Sequence, residues 1–213
     1  MDSFHTERDN AESKGIAGGN TSTFSSIGFD EISYLGPLQV VQEAAVIAIT
    51  ARNATEMAYA ILGLLRKVMP LDAFLFVDFN PEVGQYVNVL EADVVDGEFK
   101  VWEPSDHYPP EEYSLFRRTQ DGKPWLELRQ ADALIETDLL CFGDTNRRSA
   151  SLMFAPMRFQ NERNGILSVQ SYLPNAYDEG DLELLASVAS VLGGGLRRIR
   201  VERILARSEE IYR

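Results

Sequence analysis

Few residues in this sequence are of types that do chemistry unaided. Its one cysteine, Cys141, rules out an internal disulfide and a zinc site of the paired-cysteine kind. In the apolar context LLCF this thiol is expected to be structural and half-buried, packing as a small hydrophobe. The two histidines are His5 and His107. A haem or iron site at His107 would need further ligands that the sequence does not group with it, so no metal is expected. Asp93, Asp96 and Asp121 are individually suited to acid or base work, but none has an evident partner and each reads as a solvated turn residue. No glycine-rich phosphate loop, nucleophile elbow or His-Glu metal motif is present. What remains is a mixture of aromatic and polar residues at strand spacing. Asp78 shares period two with Phe74 and Phe76, and Ser168 shares it with Gln170. A few placed polar groups in an apolar cup suit a small ligand. The expected lining is therefore Phe76, Asp78, Phe154, Ser168 and Gln170, with Phe142 covering the site from the loop. The alternative is a pocket filled by its own side chains, with a structural or dimerising role alone.

The frame that positions these residues is modest in size. A chain of 213 residues accommodates one well-buried domain with extensions. Hydrophobic residues at 45% and charged residues at 25% are ordinary for a globular chain, and no apolar run reaches the roughly 20 residues of a membrane span. The net charge is -13. Its centre, residues 37–195, holds 24 acids against 12 bases, whereas residues 196–213 hold three acids and six bases. An acidic domain repels phosphate backbones, so neither a nucleic acid nor a membrane is an expected partner. The start MDSFHTERDN lacks the basic and apolar regions of a secretion signal, and cytoplasmic residence is the default expectation.

Composition and periodicity divide the chain into a flexible arm over 1–36, a domain over 37–195 and a C-terminal signalling helix or linker over 196–213. The first helix is expected to open at Pro37 and end near Arg52, burying Leu38, Val41, Ala45 and Ala48 or Ile49. Asn53 and Glu56 have capping-box spacing, which predicts a second helix to about Val68 with Met57, Ile61, Leu64 and Leu65 facing the core. DAFLFVDF, YVNVLEADVV and EFKVW read as three strands, the last two joined by a tight turn at Asp96 and Gly97. A short helix from Glu111, a turn at 121–124 and a fourth strand follow. SLMFAPMRF and GILSVQSY form a further hairpin around the polar turn QNERN. From Tyr177, with Asp178 as cap, helical spacing runs almost to the end. Strands in hairpins with helices at both ends indicate an α+β fold: an antiparallel sheet flanked by helices, with a long C-terminal helix.

That last helix carries two apolar stripes. Leu185, Val188, Leu192, Leu196 and Ile199 are expected to serve the domain. Val201, Ile204, Ser208 and Ile211 begin a second stripe suited to a partner helix, and Leu196, Ile199, Ile204 and Ile211 together mark the signalling stretch of a parallel homodimer. Between the stripes, Gly193, Gly194 and Gly195 each cost a helix interior about 1 kcal/mol relative to Ala. Either the missing side chains let the helix lie close on its neighbours, or the triplet is a soft point where rotation or bending can change.

The ordered combination in SLMFAPMRFQNERNGILSVQSYLPNAYDEGDLELLASVASVL resembles the C-terminal half of GAF domains. The matching residues are Ala155 and Pro156, then Gly165, Ile166 and Leu167, then Asp181, Leu184, Leu185 and Ala189. Gly122 to Trp125 are similar to the family's mid-domain turn, and the resemblance spans about residues 37–205. It implies a GAF-like fold of PAS-like architecture acting as a non-catalytic sensory or regulatory module. Such a module binds an unknown small molecule, dimerises, or does both. RSEEIYR is similar to the entry of a PAS domain and implies a downstream output domain, such as a histidine kinase of a two-component system or a cyclic-dinucleotide enzyme. Bilin-binding relatives pair their cysteine with a histidine, but Phe142 follows Cys141, so no cofactor is expected. Cyclic-nucleotide-binding relatives carry an Asn-Lys pair before a Phe-x3-Asp-Glu element. Here Tyr177 and Asp181 keep the spacing, Leu182 replaces the Glu, and Leu173 and Pro174 stand where Asn-Lys belongs, leaving cyclic-nucleotide binding as a weaker alternative. Methionine sulfoxide reduction in some small GAF proteins relies on several cysteines, and a single one cannot close that intramolecular cycle.

Overall fold

Pro37 opens the first helix, where its fixed φ fits and its missing N–H costs nothing, and α1 runs Pro37–Thr50. In the computed structural model the described residues are 35–104, 107–109, 121–129, 143–144 and 147–211. The expected helix from Glu111, together with Cys141 and Phe142, lies outside them. α1 buries Val40, Ala44 and Ala48, leaving Leu38 70% and Ile49 69% exposed. Of the expected stripe, Ala48 is buried and Val41 packs against the core, whereas Leu38 and Ile49 are corrected to the outer side. The helix presents its alanine side inward because neighbouring helices approach closely there, and its larger side chains face out.

Asn53 caps α2 (Ala54–Leu65) by accepting from the Glu56 amide at 2.8 Å. Glu56 does not reach back to the cap residue itself; its carboxylate accepts from the Arg52 amide and Nε, which lowers its pKa. Met57, Ile61, Leu64 and Leu65 are buried as their spacing requires.

Seven strands form one sheet: β1 (Ala73–Asn80), β2 (Gln85–Val95), β3 (Glu98–Trp102), β4 (His107–Tyr108), β5 (Trp125–Leu128), β6 (Ser151–Phe159) and β7 (Glu162–Ser171). The order is β3-β2-β1-β7-β6-β5, with β4 pairing β2 and every pairing antiparallel. Asp96 and Gly97 both have positive φ, the geometry of a two-residue hairpin that follows the strand twist. The β6–β7 turn is tighter than QNERN suggests. Phe159 pairs with Glu162, so Glu162, Arg163 and Asn164 belong to the strand.

The last helix, α3 (Glu179–Ile211), has 33 residues and is about 50 Å long at 1.5 Å per residue. Asp178 and Asp181 exchange backbone-to-carboxylate hydrogen bonds of 3.0 Å across its first turn. α1, α2 and α3 cover one face of the sheet, where Phe74, Phe76, Leu90, Met153, Leu167 and Val169 join Leu185, Val188, Leu192 and Leu196 in the main core. The opposite, distal face holds a smaller cluster of Leu75, Val77, Tyr86, Leu152, Phe154 and Ile166.

The glycine triplet is explained by close approach. A Cβ on Gly193 would stand 2.2 Å from the Arg158 carbonyl oxygen, and one on Gly195 would stand 2.8 Å from the Ala48 carbonyl oxygen. Gly194 has only ordinary contact with the Phe159 ring, at 3.6 Å. The helix therefore lies on β6 at Gly193 and on α1 at Gly195.

Candidate functional site

Residues directly opposite in paired strands point to the same face. Leu75, Glu91, Ser168 and Phe154 are in register, as are Ala73, Asp93, Gln170 and Leu152, and both rows point to the distal face. The structure thus brings Phe154, Ser168 and Gln170 together, with Gln170 Nε2 donating to Ser168 Oγ at 3.3 Å. Trp125 stacks on Phe154 at a centroid distance of 5.1 Å. Phe76 does not belong with them: it lies on the helix-covered face and is fully buried in the main core. Asp78 is also on that face, opposite Gly165. The expectation of one shared lining is corrected on both counts. β1 is buried on both sides over Ala73–Val77, so its residues show no polar-apolar alternation to say which side faces a ligand.

Three polar features of the distal face were not foreseen. Asp93, only 2% exposed, accepts from the Tyr172 hydroxyl at 2.7 Å and from the Asp144 amide at 2.8 Å. Burial, then the Asp93 carboxylate, push the Tyr172 phenol well above the ordinary tyrosine value. Arg147 lies over the Tyr172 ring at 3.8 Å, so Asp93 and Tyr172 hold Asp144 and Arg147 against the sheet. Asn88, 4% exposed, donates to Glu91 at 2.8 Å. Arg129 follows β5, bonds Glu127 through Nε and keeps its Nη2 buried, with no hydrogen-bond partner among the described residues. Asp93 is a buried strand residue and not the solvated turn residue its sequence suggests. The signal available was its place inside a strand, three residues before the Asp96–Gly97 turn.

On the helix-covered face, Asp78 serves α3. Arg200, 7% exposed, bonds the Asp78 carboxylate, the Asn164 side-chain oxygen and the Asn164 carbonyl at 2.9 Å. Burial pushes the Asp78 carboxyl up from its ordinary value, and Arg200 pulls it back only in part. Arg200 is the last buried residue of α3; beyond it the helix touches the domain through the ion pairs of Arg203 and Arg207 with Glu82, at 3.8 and 3.7 Å. Arg198, two residues earlier, donates to the carbonyls of Ala48 and Ala51 at the end of α1, where the helix dipole favours a cation. Of the residues assigned to signalling, Leu196 is 1% exposed and Ile199 packs against the main core. Both belong to the domain. Ile211, 80% exposed, stands free of it, whereas Ile204, 51% exposed, lines a cleft with Phe79 and Pro81 at the β1–β2 turn.

No protein-family model matches the sequence, and no curated protein does. Solved structures do match. One is the GAF domain of a phosphoenolpyruvate-protein phosphotransferase from Coxiella burnetii, 16% identical, with 79% of this chain and 96% of that one covered and a TM-score of 0.60. The phycoerythrobilin-bound GAF domain of a cyanobacterial phytochrome is 14% identical, with coverages of 79% and 97% and a TM-score of 0.57. This chain has a GAF fold. The free methionine-R-sulfoxide reductase of Neisseria meningitidis, in complex with its substrate, matches as well, at 12% identity, coverages of 78% and 91% and a TM-score of 0.56. The matched structures thus include GAF domains of a phosphotransferase and a phytochrome and a sulfoxide reductase, and these likenesses establish architecture alone. Among the described residues, no group of three His, Cys, Asp or Glu side chains is placed to hold a metal ion, and no helix is long and apolar enough to cross a membrane.

Proposed function

We propose that this chain is a non-catalytic regulatory module of GAF fold that forms a parallel homodimer through α1 and the free end of α3 and passes a conformational signal along α3 to an output domain. The observation that carries the reading is the end of α3. After Arg200 the helix continues for 11 residues, about 16 Å, without burial in its own domain. Its exposed apolar residues Val201, Ile204, Leu205 and Ile211 lie on one side. A lone helix in water does not sustain such a face, whereas a second copy buries it. α1 adds Leu38, Val46 and Ile49, all at least 60% exposed. Ala48 lies beside Gly195 and Ala51 beside Arg198, so the two helices run in the same direction.

The input in this reading is a small molecule on the distal face, near Phe154, Ser168 and Gln170, where Arg129 Nη2, with no hydrogen-bond partner among the described residues, would welcome a ligand oxygen. A second reading, a distal face filled by its own side chains, draws support from the Trp125–Phe154 stack and the complete burial of Ser168. Native mass spectrometry separates the two by the mass of a retained ligand. A single cysteine in the whole chain favours a non-catalytic role over thiol-disulfide chemistry.

Sedimentation tests the dimer. The protein is expected to sediment as a dimer at tens of micromolar, and Ile204→Asp with Ile211→Asp is expected to weaken association at least about tenfold, or 1.4 kcal/mol, with the fold intact. A monomer, or a dimer indifferent to both changes, contradicts the proposal.

A further inference from the structure

Beyond Arg200 the last helix keeps one further link to its own domain, at the β1–β2 turn. Arg203 and Arg207, four residues apart and so on one side of α3, meet the single carboxylate of Glu82 at 3.8 and 3.7 Å. Between them in sequence, Ile204 lines a cleft of about 340 Å³ together with Phe79 and Pro81. Each arginine of that cleft is engaged within the protein: Arg197 with Glu162, Arg200 with Asp78, Arg203 with Glu82 and Arg163 with the Tyr86 hydroxyl. The cleft is therefore a joint between elements. It differs from the seat at Gly193, where the helix lies directly on the Arg158 backbone, because here side chains span open space. Exposed ion pairs contribute little each, and salt screens them. α3 is thus fixed up to Arg200 and held only weakly over the 11 residues that follow.

The same turn is tied to the distal face. Phe79 lines the cleft and also packs on the distal cluster, with its ring centroid 5.0 Å from that of Tyr86. Tyr86, 2% exposed, belongs to that cluster, and its hydroxyl accepts from Arg163 in the wall of the cleft. Both links converge on one side chain. Packing on the distal face reaches the joint through the Tyr86 ring on one path and through its hydroxyl on the other.

We propose that the β1–β2 turn is a weak clasp on the free end of α3, closed by Glu82 on Arg203 and Arg207, and that Tyr86 couples this clasp to the distal face. A closed clasp sets the direction in which α3 leaves the domain, and an open one releases it. The bearing on signalling rests on the reading of α3 as the conduit, whereas the clasp itself needs neither the dimer nor a ligand.

Hydrogen exchange of the full chain, followed at protein concentrations below and above the range of dimer dissociation, tests the clasp. Its protection of the 201–211 amides is intramolecular and independent of concentration, whereas protection by a partner helix is not. Glu82→Arg brings three cations together and should speed exchange of this stretch about fivefold, with residues 185–196 unchanged as the control for an intact fold. Adding Arg203→Glu and Arg207→Glu to Glu82→Arg should restore slow exchange. Salt should speed exchange in the wild type and slow it in Glu82→Arg. Tyr86→Phe keeps the ring and removes the bond from Arg163, and should also loosen residues 201–211. In return, Glu82→Arg should shift the ring resonances of Tyr86 and Phe154, since coupling is reciprocal. A stretch unprotected at both concentrations, exchange unchanged by Glu82→Arg, or a charge swap that restores nothing would overturn the clasp. Wild-type exchange in Tyr86→Phe, with unshifted rings in Glu82→Arg, would overturn the coupling. Protection seen only at the higher concentration would refute the clasp and leave the dimer standing; protection at both in a chain that sediments as a monomer would do the reverse.

Discussion

Gly193→Ala is expected to destabilise the protein by about 3 kcal/mol, although alanine is the better helix former by about 1 kcal/mol. The added Cβ meets Arg158 backbone atoms at 2.2, 2.5 and 2.6 Å, and a strand backbone paired in the β6–β7 hairpin cannot rotate away as a side chain can. The helix must shift, and with it the packing of Leu192 and Leu196. Gly194→Ala supplies the internal control. Its Cβ would touch only the Phe159 ring at 3.6 Å, so the propensity gain should survive as a stabilisation of up to about 1 kcal/mol. Thermal midpoints should therefore move in opposite directions, by about 6–12 °C downward at Gly193 and a few degrees upward at Gly194. Equal effects at the two positions would show that the triplet is a soft segment and not a seat.

The second large effect concerns Arg200. Arg200→Met leaves the Asp78 carboxylate and the Asn164 oxygen without their donor in a largely enclosed position. Loss of one partner of a buried pair costs about 3–5 kcal/mol, and the lower end applies because the Asp78 side chain keeps 23% exposure. Arg200→Met with Asp78→Val should recover most of the loss, since an apolar pair of similar volume replaces a buried ion pair at little cost. The pH dependence has a definite sign. Asp78 has a raised carboxyl pKa in the folded protein, so its contribution favours folding at low pH and is lost as pH rises through the raised value. Removing Arg200 takes away the one strong pull that keeps the carboxylate charged. The variant's deficit should therefore shrink as pH falls from neutrality into the acid range, as Asp78 takes up a proton and needs no counter-charge. Chemical denaturation across that range measures it, and a deficit that grows on acidification would contradict the assignment.

The elements were legible in the sequence wherever local chemistry decides them. Pro37, Asn53, the Asp96–Gly97 turn and the Asp178–Asp181 cap each dictate a boundary through their own backbone or side-chain bonding. Helix phase was harder. α1 carries apolar residues on both sides, and tight helix packing selected the small ones, Ala44 and Ala48, over Leu38 and Ile49. Face assignment failed at β1, where a doubly buried apolar run leaves no alternation, so Phe76 went to the helices while Phe154, Ser168 and Gln170 went to the distal face. Asn164 was hidden in a polar stretch that looks like a turn. Arg200 could have been found: it stands four residues after Leu196 on the domain side of α3, and a cation in that stripe requires a buried partner.

The measurement that bears most directly on the regulatory dimer is the distance between spin labels placed at Glu209→Cys in a Cys141→Ser background. A parallel pair with helix axes about 8–10 Å apart puts the two labels on equivalent turns, so double electron-electron resonance should give one short, narrow distance distribution that disappears when Ile204→Asp and Ile211→Asp are added. Absence of dipolar coupling, or a long distance set by domains that meet elsewhere, would contradict the account.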